Sequence, residues 1–398
     1  MASTISLVAL SLDTMLPALP EIGRDLGLRN SNDAQMVISS LVFGLSFGQI
    51  IYGPLSDSMG RKPMLFAGVA IFVAGCALSL LSTSFTVMLA GRVLQGVGSA
   101  GPRSMVVAMI RDQYEGRAMA RVMSSIMAVF IVVPAIAPTL GQGIILLAGW
   151  RAIFGTLLTL SLINVAWFAL RQPETLLPRH RIPFSVKRIS GAVVEVCRNR
   201  TAFGYTVVAG FILGAFLGYL NSAQQIFQEL YGLGTRFPLF FGILALSIGS
   251  ASLFNSRIVM RFGMRRLTAG AMKLLTVLSG CHFTAAYAFG GHSPLWMLMA
   301  CFMVTFFCIG VLFGNLNAIA MSPMGHIAGT ASAVIGALSG FISVPIAIWI
   351  GKAYNGTTLP LIGGFTILGI LSLFVMRWAE NALNRGSSPI RLKKRDHE

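Results

Sequence analysis

Apolar residues in this chain fall in long unbroken runs. Residues 34–56, 64–91, 122–150, 152–170, 201–228, 237–256 and 353–376 hold no Asp, Glu, Lys or Arg, and neither does the stretch from Leu274 to Gly351. A helix needs about 20 apolar residues to cross the hydrocarbon of a bilayer, so that last stretch crosses more than once. The runs do not alternate apolar with polar, as the strands of a membrane barrel do. Helices are the remaining way to satisfy every backbone polar group inside hydrocarbon. Cutting the runs at turn signals predicts twelve helical spans: 2–20, 34–56, 64–82, 86–110, 122–146, 151–170, 202–228, 237–256, 268–288, 295–317, 329–350 and 360–378. The cuts fall at Ser82-Thr83-Ser84, at Gly290-Gly291-His292-Ser293-Pro294, at Ser322-Pro323-Met324-Gly325 and at Asn355-Gly356-Thr357-Thr358, where Gly, Pro, Asn and Ser favour turns.

One long polar connection, 172–200, divides the spans six and six. The expected plan is an all-α integral membrane protein of two six-helix bundles, 1–171 and 201–379, with a cytoplasmic linker at 172–200 and a basic cytoplasmic tail at 380–398. A faint repeat supports the division. In Gly53-Pro54-Leu55-Ser56-Asp57-Ser58-Met59-Gly60-Arg61-Lys62 and in the segment from Asn255 to Arg266, Gly60 aligns with Gly263 and Lys62 with Arg265. Asp57 has no counterpart in the second copy.

Composition removes the soluble alternatives. The chain is 55% hydrophobic and 11% charged, against roughly 25% charged for a soluble domain, and its mean hydropathy is +0.76. With the N-terminus placed inside the cell, 22 Lys and Arg residues fall on the cytoplasmic side and 5 on the other. That bias is the positive-inside pattern of a multi-pass inner-membrane protein with both termini cytoplasmic. It accounts for the net charge of +17 without nucleic acid. The first apolar run has no basic leader and contains Asp13, so it reads as a span rather than a signal peptide. Five cysteines form no Cys-x-x-Cys and the five histidines are scattered, which points to no metal site and no cofactor. No phosphate-binding Gly-x-x-x-x-Gly-Lys loop is present to power the chain with ATP.

Asp13 is the only acidic residue well inside a span. A carboxylate at membrane depth is costly and usually marks an ion or substrate path; a permanently protonated or paired structural carboxyl is the alternative. Arg92 and Arg103 lie in the fourth span, nearly three turns apart on one face, and Arg103 is close enough to the inner surface to snorkel. Asp13 lies seven residues before Pro20 and Arg92 seven after Phe85, so the two share a depth at 1.5 Å per residue. Asn221, Gln224, Gln225 and Gln228 make one stripe on the seventh span, and Asn315 and Asn317 lie in the tenth. Such amides either line a substrate path or bond between helices. Pro134 and Pro138, one turn apart, put two kinks on one face of the fifth span.

Several segments then resemble one family. Gly53-Pro-Leu-Ser-Asp57-Ser-Met-Gly60-Arg61-Lys62 resembles the signature loop between the second and third helices of the major facilitator superfamily. Gly91-Arg92-Val-Leu-Gln95-Gly96-Val-Gly98 resembles the fourth-helix signature of its proton-coupled members. Asp13-Thr-Met-Leu-Pro17-Ala-Leu-Pro20, Trp150-Arg-Ala-Ile-Phe154 and Ala328-Gly-Thr-Ala-Ser332 are similar to the Bcr/CflA branch of drug:proton antiporters. The resemblance spans essentially the whole chain. It implies a carrier, not an enzyme, working in the bilayer as a monomer by alternating access and moving small drug-like compounds outward in exchange for protons. It further implies that helices 1, 4, 7 and 10 line the cavity, with Asp13 as protonation site and Arg92 tuning it directly or through water. Asp57, Gly60, Arg61 and Lys62 would form a conformational latch, with Asp112 a candidate partner, and Gln95, Gly96 and Arg103 would belong to the fourth-helix motif. The fifth helix departs from the antiporter pattern: the proline at 138 and Gly141 match, while Val133, Ala137 and Gln142 stand where the family has glycines. A metabolite permease or proton symporter of the same fold is therefore the alternative.

Overall fold

The computed structural model describes residues 2–114 and 116–386, and these form helices and turns with no strand among them. The first crossing is broken. Helix α1 (Ala2–Asp13) ends at the candidate carboxyl, a 3-10 turn covers Leu16–Ala18, and α2 (Leu19–Asp25) continues. Pro17 and Pro20 lack the N–H that would carry α1 forward, and Thr14 Oγ1 turns back to Leu10 O at 2.5 Å. Next come α3 (Met36–Met59), α4 (Arg61–Leu80), α5 (Phe85–Gln113), α6 (Gly116–Ala148) and α7 (Arg151–Arg171). The expected linker contains a helix of its own, α8 (Val186–Arg198), whose first turn is capped by Ser185 Oγ and which buries Ala192 and Val196 against α9 and α13. The remainder is α9 (Arg200–Gln224), α10 (Phe237–Phe262), α11 (Met264–Ala288), α12 (Leu295–Met321), α13 (Ala328–Lys352) and α14 (Leu359–Gly386). A π-helical turn at Gln225–Leu230 prolongs α9.

Among the described residues nine helices, counting the broken first crossing as one, are long and apolar enough to cross a membrane. Helices α5, α6 and α11 are not among the nine, although each is 25 residues or longer. Arg92 and Arg103 dilute the apolar window of α5, as Arg265, Arg266 and Lys273 dilute that of α11. In α6 the charge-free run 122–150 is itself longer than the roughly 20 residues a crossing needs.

The two aligned glycines have the same structural job. Gly60 turns α3 into α4 at φ 108°, and Gly263 turns α10 into α11 at φ 80°. Each N–H closes its helix on the carbonyl four residues back, Ser56 O at 3.1 Å and Val259 O at 2.8 Å. A side chain is strained at these φ values, so the internal repeat is a repeat of backbone geometry.

Packing follows the rule for helices in lipid, where small residues let backbones touch because lipid offers no apolar driving force between helices. The α3–α5 contact depends on Gly96, where a Cβ would strike the Leu41 carbonyl and lie 2.8 Å from Leu45 N. On α9, Gly210, Gly214 and Gly218 recur every fourth residue. Added Cβ atoms there would meet Ile342, Ile346 and Ile350 of α13 at 2.8–2.9 Å. In the first part of the chain α1 packs on α5 and α6, and α4 on α5 and α7. In the second, α9 packs on α12, α13 and α14, and α11 on α12 and α14. The parts meet along α3–α13 and α6–α10. Outward-facing positions such as Leu147, Leu170 and Met260 are exposed, as a lipid-facing surface requires.

Because Gly96 touches backbone rather than a movable side chain, Gly96→Ala should cost about 1–3 kcal/mol, the range for overpacking a tight site. The check is the apparent melting temperature and monodisperse yield of the purified protein in detergent; an unchanged melting temperature would mean α3 and α5 can part freely.

Candidate functional site

Arg92 is fully buried and has no carboxylate partner among the described residues. Its Nε donates to Val37 O on α3 at 2.9 Å, one Nη to Ser11 O on α1 at 2.9 Å, and the other to Gln95 Oε1 on its own helix at 2.6 Å. Gln95 Nε2 in turn reaches Cys76 Sγ on α4 at 3.0 Å. The guanidinium also lies 5.9 Å from the centre of the Phe154 ring on α7, within cation–π range. One cation therefore ties together five helices. Ser11 O is available because α1 stops at Asp13. A positive group among the last carbonyls of a helix is favoured by the helix dipole.

Asp13 is 5% exposed and makes no hydrogen bond or ion pair among the described residues. The structure does not bring it into contact with Arg92; the arginine meets the same helix two residues earlier, at a backbone carbonyl. Positions two apart point to different sides of a helix. The fifth-helix elements close in from another side. Pro134 and Pro138 lie inside α6, and a Cβ on Gly141 would strike the Thr14 carbonyl, so α6 presses against the break itself.

The signature loop forms a charge cluster. Arg61 Nη1 meets Asp57 Oδ1 and Ser56 Oγ, both at 2.6 Å, and Arg61 Nε meets Asp112 Oδ2 at 3.1 Å. Lys62 Nζ caps Ala169 O at 2.9 Å. The acidic residue on the start of α4 is Glu174, which sequence reasoning missed, and not Asp57. Its carboxylate accepts from the backbone N–H of Arg61 and of Lys62, each at 3.0 Å, and from Thr175 N and Leu176 N at 2.9 and 3.0 Å. Burial pushes the Glu174 carboxyl up, but the N–H groups of Leu176, Lys62, Arg61 and Thr175 outweigh it and hold it below the usual glutamate range. Thr175 Oγ1 extends the cluster to Asp112 at 3.0 Å. Gly60 is needed here twice, since a Cβ would lie 2.7 Å from Glu174 Oε2. Glu174 follows Pro173 just beyond α7, and nothing local marks a contact made 113 residues away.

The polar stripe on the seventh span turns toward the first part of the chain. Asn221 Nδ2 donates to Ser39 Oγ and to Ala347 O, both at 3.0 Å. Gln225 Nε2 donates to Asn32 Oδ1 at 2.7 Å, and Gln35 Nε2 donates to Gln225 Oε1. Asn32 Nδ2 then caps Tyr354 O at 2.9 Å. Asp33 adds an ion pair to Lys352 at 3.5 Å. Two amides expected as possible substrate contacts thus close one end of the molecule across α3, α9 and α13. Gln224 is buried and lines a cavity of about 340 Å³ beside this closure, with Arg24, Arg29, Gln35, Gln225 and Glu229. Asn315 forms a reciprocal amide pair with Asn255 of α10 at 2.9 and 3.0 Å, the interhelical role left open above. Asn317 is exposed and bonds to Phe313 O at 3.2 Å; Arg103 is exposed and stands apart from the Arg92 cluster.

Comparison with known proteins gives this arrangement a family. Residues 1–347 match the model for the Major Facilitator Superfamily, and the chain belongs to it. The chain is 30% identical over 372 residues to the uncharacterized MFS-type transporter YdgK of Bacillus subtilis, covering 92% of this chain and 91% of that one. It is 26% identical over 397 residues to the bicyclomycin resistance protein homolog of Haemophilus influenzae, covering 94% of each. Its fold matches the crystal structure of the human organic anion transporter MFSD10 with a TM-score of 0.71 at 17% identity, over 94% of this chain and 97% of that one. The protein is a membrane transporter of small molecules, not an enzyme.

Charge-assisted bonds are roughly twice as strong as neutral ones, so Glu174→Gln should lower thermal stability at neutral pH by about 1 kcal/mol. The Glu174 carboxyl titrates below its unfolded value, so its contribution is present above the ordinary glutamate range and is lost as the pH falls through the folded value. Melting curves of wild type and variant in detergent should differ at pH 7 and converge in acid; a constant gap would mean that charge on Glu174 is not what counts.

Proposed function

We propose that the chain is a twelve-helix exporter of small, drug-like organic compounds driven by inward proton exchange. The helices α5, α6 and α11 supply the three crossings beyond the nine apolar ones, in two six-helix bundles at 1–171 and 201–379. Contacts within each part, with α3–α13 and α6–α10 between them, support that division. The 22-to-5 basic bias supports an inner-membrane setting with both termini and the 172–200 linker inside. On that orientation the amide closure is the outer gate and the Asp57–Arg61–Asp112 cluster the inner latch.

The observation that carries the coupling assignment is Asp13: a buried carboxyl without a partner among the described residues, at a break in the first helix whose following turn packs against α9. A fixed structural carboxylate would be paired. A group that must take and give up a proton in each cycle is better left without a permanent partner. Arg92 keeps the local field positive and anchors α1, while the break leaves Asp13 free to respond. Bicyclomycin in the name of a relative supports a compact organic substrate. Loss of the fifth-helix glycines at 133, 137 and 142 favours a second reading, a proton symporter or metabolite permease using the same carboxyl.

Asp13→Asn should abolish uphill transport, since Asn resembles the protonated acid and cannot release a proton. The measurement is substrate-driven proton release from purified protein with chloramphenicol or bicyclomycin as probe. Continued release and continued pumping by Asp13→Asn would remove Asp13 from the mechanism. For the orientation, single cysteines at Ser185 and at the exposed His292 in an otherwise cysteine-free protein should differ. His292→Cys should react with an impermeant thiol reagent added to intact cells and Ser185→Cys should not; labelling of Ser185→Cys from outside would overturn the topology.

A further inference from the structure

Tyr219 carries a hydroxyl that packing does not need. Its ring sits in a cage of phenylalanines: Phe306 edge-on at 4.7 Å, Phe241 stacked at 5.8 Å, Phe302 at 6.1 Å and Phe216 at 6.3 Å. A phenylalanine would fill that space equally well. The Tyr219 hydroxyl is instead buried without a hydrogen-bond partner among the described residues, which costs about 1–3 kcal/mol. The charge of Asp13, itself buried and unbonded among the described residues, acts on this hydroxyl. The Leu16–Ala18 turn, which begins three residues after Asp13, packs against α9, the helix that carries Tyr219. The other elements packed on α1 add one charge at this depth, Arg92 of α5, already bonded to Ser11 O. Helix α7 carries its charges at its ends, Arg151 and Arg171, and α6 carries Arg117 and Arg121 near its start.

Tyr219 also lies two residues from Asn221 and six from Gln225, the gate amides of the same helix. Motion of α9 toward or away from the broken first helix therefore reaches the gate directly. An exchanger must forbid one event in particular: reorientation of the empty carrier with its proton site vacant. If that occurred, protons would flow without substrate.

We propose that Tyr219 is the positioning residue that prevents this slip: when Asp13 has lost its proton and no substrate is bound, the Tyr219 hydroxyl donates to the Asp13 carboxylate and holds α9 against the first helix with the outer gate closed. Protonation neutralises the acceptor and weakens the bond; a bound substrate that engages Asp13 displaces it. Tyr219 keeps its own proton throughout, and the proton shed by Asp13 leaves to cytoplasmic water. This rests on Asp13 as the proton site.

The test needs no substrate. Purified protein is reconstituted into liposomes containing a pH-sensitive dye, and proton entry after an external acid jump is followed. Wild type should be nearly tight. Tyr219→Phe, which keeps the ring in its cage, should leak roughly tenfold faster, the factor expected from losing one hydrogen bond to a charged group. Adding Asp13→Asn should abolish that leak, because it runs through the carboxyl. A Tyr219→Phe protein as tight as wild type overturns the proposal, and so does a leak that survives Asp13→Asn, which would be loosened packing. If Asp13→Asn alone still releases protons on substrate addition, the proton-site assignment fails instead, and the two failures are distinguishable.

Discussion

A single guanidinium, bonded to backbone carbonyls and an amide rather than to a carboxylate among the described residues, organises the first half of this transporter. Burying an unpaired charge is costly unless its donors are all engaged, and Arg92 engages carbonyls of α1 and α3 and the Gln95 side chain. Those carbonyls come within reach only because α5 runs against its neighbours backbone to backbone, at Gly96 beside Leu41 and at Gly91 beside Ser79. The break in the first helix then follows as a matching requirement. A helix running straight on from Asp13 would use its own carbonyls, while one that ends there offers Ser11 O to the cation and leaves the adjacent carboxyl unclaimed.

Much of this could be read from residues alone, and the limits have physical causes. Crossings, turns and the glycine repeat are written locally, in runs of apolar residues and in Gly60 and Gly263. Arg92 and Asp13 stood out because charge at membrane depth is rare. What the residues did not give was partnership. Equal depth suggested that Arg92 and Asp13 meet, yet depth does not fix azimuth, and the arginine reaches a carbonyl instead. Glu174 was invisible because its contacts lie more than 100 residues back along the chain. The stripe of Asn221 and Gln225 was recognised as polar and inward, but amides that line a path and amides that join two bundles share one pattern.

The polar contacts at the two ends of the carrier differ in chemistry and in what they join. Inside, on the proposed orientation, charges predominate: Asp57, Arg61, Asp112 and Glu174 form a connected cluster that ties α3, α4 and α5 to the loop after α7, all within the first part of the chain. Outside, the contacts that join the two parts are mostly neutral, made by Asn32, Gln35, Asn221 and Gln225 with one another, with backbone carbonyls and with one serine; Asp33–Lys352 and, within the first part, Arg151–Asp25 are surface pairs of the kind that contributes about 0–1 kcal/mol.

That difference suits the two media the protein divides. Ion pairs weaken as dissolved salt screens them, over about 8 Å at physiological ionic strength and over far shorter distances in brine. On the proposed orientation the charged cluster faces the cytoplasm, whose salt is steady, and keeps a constant strength there. The far side, on the same orientation, faces a medium whose salt varies. A closure of amides and carbonyls is nearly indifferent to that variation, so its strength should hold from dilute to concentrated surroundings.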